Sequence, residues 1–89
     1  MVQIKSVELP VRHTVDDIRN ILEGIREADV MWLRNDVINI KIAKINTGIT
    51  LYLVFGEKYD FDEYDRGRWE RICYITDNVD DLVWFINGL

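Results

Sequence analysis

The chain has 89 residues, 48% of them hydrophobic and 30% charged, with 11 basic against 16 acidic side chains and a formal net charge of -5. This length supports one small domain that buries roughly 60 to 65% of the surface of its unfolded chain, and the balance excludes disordered and fibrous classes. The acidity disfavours direct binding of DNA or RNA, whose affinity comes largely from lysine and arginine displacing counterions, unless the few basic residues cluster.

A single cysteine, Cys73, excludes an internal disulfide framework and a cysteine-rich zinc site, and it points to a reducing compartment. No apolar stretch approaches the ~20 residues needed to cross a bilayer, and no basic segment followed by an apolar run opens the chain. The expectation is a cytoplasmic domain spanning residues 1–89, without membrane association.

Val2, Ile4, Val7, Leu9 and Val11 form a strand pattern whose phase slips once around Lys5-Ser6. Pro10 lacks a backbone donor, so this segment is expected at a sheet edge. Thr14 then opens a helix: its hydroxyl is placed to accept from the Asp17 N–H, with Asp16 and Asp17 in the first turn against the dipole. Val15, Ile18, Ile21, Leu22, Ile25 and Ala28 recur at three- and four-residue steps as one apolar stripe. Gly24 inside this helix costs stability and marks a close approach to a strand. Val30 to Leu33 fit either a last helical turn or a short extended run, and Arg34-Asn35-Asp36 reads as a turn.

Residues 37–55 carry the clearest signal, alternating β-branched and polar residues on both sides of Asn46-Thr47-Gly48. Loop parity decides which faces meet. An even loop pairs Ile42 with Leu53 and Ile40 with Phe55, gathering Ile38, Ile40, Ile42, Leu51, Leu53 and Phe55 on a core face. An odd loop with a glycine bulge sets Ala43, Lys41 and Asn39 beside Leu51, Leu53 and Phe55, burying a lysine against leucines at considerable cost. The even register is therefore predicted, leaving Lys41, Ala43, Ile45, Thr50, Tyr52 and Val54 on a second face unusually apolar for solvent.

After Gly56, residues 57–68 are acidic and aromatic without a clean period and read as a long loop. Trp69 to Ile75 reads as a strand antiparallel to its predecessor. Asn78 then caps a helix containing Val79, Leu82, Val83 and Ile86, with Asp80 and Asp81 in its first turn. The predicted fold is α+β in the order β-α-β-β-β-α. It is an antiparallel meander over about residues 37–45, 49–55 and 69–75 plus an N-terminal edge strand, with helices over about 15–29 and 79–87 on one face.

No motif identifies chemistry. Asp60-x-Asp62 begins like a calcium loop, but Asp65 stands where glycine is needed and Arg71 where the closing glutamate belongs. His13 and Cys73 are the only residues of their types, nothing brings them together, and Cys73 reads as a small buried hydrophobe within a strand. The glycines form no phosphate-cradling pattern. No metal, cofactor or catalytic residue is therefore expected.

The aromatic residues carry more, since tyrosine and tryptophan near arginine are common interface anchors. The expected contact surface comprises Lys41, Tyr52, Val54, Tyr59, Phe61, Tyr64, Arg66 and Trp69. It belongs to a small non-enzymatic protein-binding or regulatory module, whose partner is another protein or a second copy in a homodimer. A second reading is an acidic inhibitor of a nucleic-acid-binding protein. Asp60, Asp62, Glu63 and Asp65, with Asp77, Asp80 and Asp81, would stand in for phosphates. A third is a small enzyme with carboxylates and Arg66, Arg68 or Arg71 in an intersubunit site.

Overall fold

The computed structural model describes residues 2–27, 29–61, 64 and 66–89. Five strands form one sheet in sequential order: β1 (Ile4–Glu8), β2 (Val30–Arg34), β3 (Ile38–Asn46), β4 (Thr50–Phe61) and β5 (Gly67–Thr76). β1 runs parallel to β2 and every other neighbouring pair is antiparallel, so the sheet is mixed. Helices α1 (Val15–Leu22) and α2 (Val79–Asn87) cover one face. The α+β class and both helices are as expected, while the element order gains one strand.

That strand is the ambiguous Val30–Leu33 segment. Met31 and Leu33 point into the core, and Val30, Trp32 and Arg34 point away from it. Its position also settles the partner of the N-terminal strand, which lies at the edge beside β2 and ends before Pro10. The turn after β2 is held by Asn35, whose side-chain oxygen accepts from the Val37 and Ile38 N–H groups at 2.8 Å each.

α1 begins as predicted. The Asp17 N–H donates to Thr14 Oγ1 at 3.2 Å and the Thr14 N–H returns to Asp17 Oδ2 at 2.9 Å. Ile18 and Leu22 are buried. The regular helix stops at Leu22 and continues as a 3₁₀ turn over Glu23–Glu27, shorter than the predicted span to residue 29. Gly24 lies in this turn, where a Cβ would meet the end of the Lys5 side chain of β1, so what approaches the glycine is a flexible side chain and not the strand itself. α2 starts at Asn78, whose Oδ1 accepts from the Asp80 and Asp81 N–H groups at 2.8 and 3.3 Å. Arg19 bridges the helices, its guanidinium 3.4 Å from both Asp16 and Asp80.

The core joins Ile18, Leu22 and Ile25 with Leu82, Val83 and Ile86 from the helix layer. From the sheet it takes Met31, Leu33, Ile38, Ile40, Ile42 and Val54. Tyr74 of β5 stacks on Phe85 of α2, centroids 4.2 Å apart. Replacing Leu22, 2% exposed, by alanine is expected to cost about 2 to 5 kcal/mol, read as a shift in the urea unfolding midpoint.

The β3–β4 hairpin departs from the predicted parity. Asn46 pairs with Thr50 around the three-residue loop Thr47-Gly48-Ile49, with Gly48 at φ 89°. Ile42 therefore faces Val54, and Lys41 faces Phe55. Val54, and with it Tyr52, belongs to the helix-covered face, while Leu51, Leu53 and Phe55 join Lys41, Ala43 and Ile45 on the other. The reason is electrostatic as much as steric. The predicted register avoided burying Lys41, but no described element covers its face, so its ammonium stays in water at little desolvation cost.

Two further expectations change. Most of the supposed long loop is strand, since β4 continues to Phe61 and β5 starts at Gly67. The resulting ribbon pairs Tyr59 with Trp69 and Phe61 with Gly67, and gives the molecule a long axis of 47 Å against 24 and 23 Å for the other two. Cys73 lies within a strand but is exposed, because odd-numbered positions of β5 face away from the helices.

Candidate functional site

The side of the sheet opposite the helices is uncovered by any described residue, and it carries three zones. Near the β3–β4 turn is an aliphatic field of Val30, Ala43, Ile45, Leu51, Leu53 and Ile75, in which Ile75 is 58% exposed. Phe55, 40% exposed, continues it toward the middle. Isolated exposed apolar residues are ordinary on any protein, but a contiguous field on one sheet face is not.

The middle zone is polar and organised around Trp32. Its indole N–H donates to Asn39 Oδ1 at 2.7 Å, the Arg34 guanidinium lies over the ring 4.4 Å from its centroid, and the Lys41 ammonium lies 5.5 Å from it. Glu57 and Arg71 stand opposite each other on β4 and β5. A shallow depression of about 420 Å³ lies here, lined by Asn39, Lys41, Phe55, Gly56, Glu57, Arg71, Ile72 and Cys73. The face as a whole holds three cations, Arg34, Lys41 and Arg71, against two carboxylates, Glu8 and Glu57. The acid excess of the chain therefore lies off this face, much of it at the starts of the two helices.

The third zone is the β4–β5 tip. Tyr59 packs edge-on to both Phe61 and Trp69, with centroids 4.9 and 5.4 Å apart. Gly67 makes room for it, since a Cβ there would run into the Tyr59 ring. Phe61 is 65% exposed and Trp69 45%.

Of the expected contact residues, Lys41, Tyr59, Phe61 and Trp69 are thus brought to one face. Tyr52 and Val54 are not: Val54 is fully buried and Tyr52 packs against the core, so neither belongs to an open contact surface. Tyr64 is 69% exposed with the Arg66 guanidinium 5.4 Å from its ring centroid. Asp60 lies on the other side of the ribbon, 3.7 Å from Lys58 Nζ. Asp62, Glu63 and Asp65 lie outside the described residues. Leu51, Leu53, Phe55 and Ile75 were missed because the wrong parity assigned the first three to the core.

His13 Nδ1 lies 2.8 Å from the Pro10 carbonyl oxygen just before α1, and no contact joins it to Cys73. Among the described residues no group of three or more His, Cys, Asp and Glu side chains is placed to hold a metal ion. No described helix is long and apolar enough to cross a membrane. Comparison with protein-family models, curated proteins and solved structures finds no match to the chain.

Proposed function

We propose that the protein is a non-enzymatic interaction module that docks a protein surface with the open face of its sheet. The observation that carries this reading is the aliphatic field around Leu53, Ile75 and Phe55 on a face that no described element covers. Leaving that area in water costs roughly 25 cal/mol per Å², which a partner surface recovers. The polar belt beside it gives such a contact orientation, because Trp32, Arg34 and Asn39 are already held in place by one another.

Nucleic acid fits this face poorly. Arg34 and Lys41 do lie over the Trp32 ring there, but Glu8 and Glu57 stand beside Arg34 and between it and Arg71, so no continuous positive stripe follows a phosphate backbone.

The test is retention on immobilised protein, comparing the wild-type chain with a Phe55→Asp variant shown to be folded by circular dichroism. The variant is expected to lose about tenfold or more in affinity for what the wild type binds, since Phe55 lies near the centre of the face. Equal retention by both overturns the reading.

A further inference from the structure

We infer that the open face stacks on the same face of a second copy of this chain, about a two-fold axis running along β3. This rests on the reading that the open face is a docking surface, and adds its occupant and orientation. The argument comes from the order of charges across the sheet. Glu8, Arg34, Asn39, Glu57 and Arg71 stand side by side in one row from β1 to β5. Read across the strands the row is negative, positive, neutral, negative, positive. None of the four charges is in an ion pair with a described residue.

Such a row is antisymmetric about its centre. When two sheets stack face to face, a two-fold axis lying between them along β3 places each β1 over the other copy's β5 and each β2 over the other's β4. Glu8 then meets Arg71 of the second copy, Arg34 meets its Glu57, and Asn39 meets Asn39. All four charges find opposite partners. An axis across the strands, or along β4, would instead set Glu57 against Glu57. The roughly 30° rotation usual between stacked sheets displaces positions near the axis least.

The neighbouring rows agree with this axis. In the row Ile4, Val30, Ala43, Leu53, Ile75, the operation lays Ile4 over Ile75 and Val30 over Leu53, with the small Ala43 on the axis where the sheets approach most closely. In the row Ser6, Trp32, Lys41, Phe55, Cys73 it lays Trp32 over Phe55 and Ser6 over Cys73. Lys41, on the axis like Asn39 and Ala43, is the one charge that meets its own kind, and its ammonium already leans aside over Trp32. The size is also right. Five strands spaced about 4.8 Å apart and a central stretch of about seven residues give a flat footprint of roughly 24 by 20 Å. With protruding side chains this approaches the roughly 800 Å² per partner of a standard interface.

Charge exchange tests the orientation, with mass measured by light scattering along a dilution series and folding checked by circular dichroism. The wild type is expected at twice the 10.6 kDa of one chain. Arg34→Glu and Glu57→Arg each turn two attractive contacts of the dimer into repulsive ones, and each is expected to weaken it by about tenfold or more. Mixing the two variants restores every complementary contact and the dimer mass, as does combining both changes in one chain. Cys73 supplies a second readout, since it is exposed in the single chain and covered in the stack. Its reaction with an aromatic disulfide should be at least about tenfold slower in the wild type than in Arg34→Glu at the same concentration. A single-chain mass throughout overturns the inference, while docking of another protein is still judged by the Phe55→Asp experiment. A dimer indifferent to charge exchange, or one whose Cys73 reacts as fast as in the variant, overturns it in favour of pairing elsewhere, such as along the free edge of β5.

Discussion

Aspartate in place of Val54 is expected to unfold the protein, whereas aspartate one residue earlier, at Leu53, should leave its thermal midpoint within a few degrees. Val54 is fully enclosed among Ile42, Tyr74 and the helix layer. A carboxylate there has no partner and loses its hydration, at a cost of about 4 to 5 kcal/mol or more. That is comparable to the whole stability of a small domain, which lies toward the lower end of the typical range of about 5 to 15 kcal/mol. Leu53, half-buried, points to the open face, so its replacement removes no core contact and places the charge at the surface beside Ala43 and Ile75. The expected loss there is of docking alone. Far-ultraviolet circular dichroism with heating separates the two outcomes. The reverse pattern, with Leu53→Asp unfolded and Val54→Asp tolerated, is what the even-loop register of the hairpin demands, and it would overturn the register described here. One pair of substitutions thus decides which side of β4 is core.

That parity is also where sequence reasoning reached its limit. Both helices were legible because their signals are local: a Thr14 or Asn78 cap, acids in the first turn, and apolar steps of three and four. The strands of the hairpin were legible from alternation alone. The face each presents to the core was not, because β4 is apolar on both sides, with Leu51, Leu53 and Phe55 on one and Tyr52 and Val54 on the other. Desolvation of Lys41 was used to choose between them, and that argument holds only for a face that is covered. β2 was ambiguous because its run of five residues is too short to show a period, and its alternation of Met31 and Leu33 with Trp32 and Arg34 becomes readable only beside β1 and β3. The self-complementary row is a property of five strands in register, and no single segment carries it.

Gly56 is the residue whose replacement tests the centre of that arrangement, and Gly56→Ala is expected to cost about 2 to 4 kcal/mol in urea unfolding. Its φ of 150° lies where side-chain-bearing residues rarely go. A Cβ there would overlap the Asn39 carbonyl oxygen and lie 2.7 Å from Ile40 Cα, both backbone atoms of the neighbouring strand that cannot swing aside. Gly48→Ala provides the control. That glycine also has a positive φ, 89°, but nothing lies within 4 Å of its added Cβ, so only the conformational cost remains, about 1 to 2 kcal/mol. The difference between the two variants measures the close approach of β3 and β4 at the point where Asn39 and Glu57 stand side by side. If Gly56→Ala costs no more than Gly48→Ala, the strands are not that close and the charged row is not in the register that makes the face its own complement. If the larger loss is found, Gly56 in the middle of a strand is explained without appeal to a turn. The glycine that follows the apolar run of β4 then marks the place where β3 and β4 approach too closely to admit a side chain.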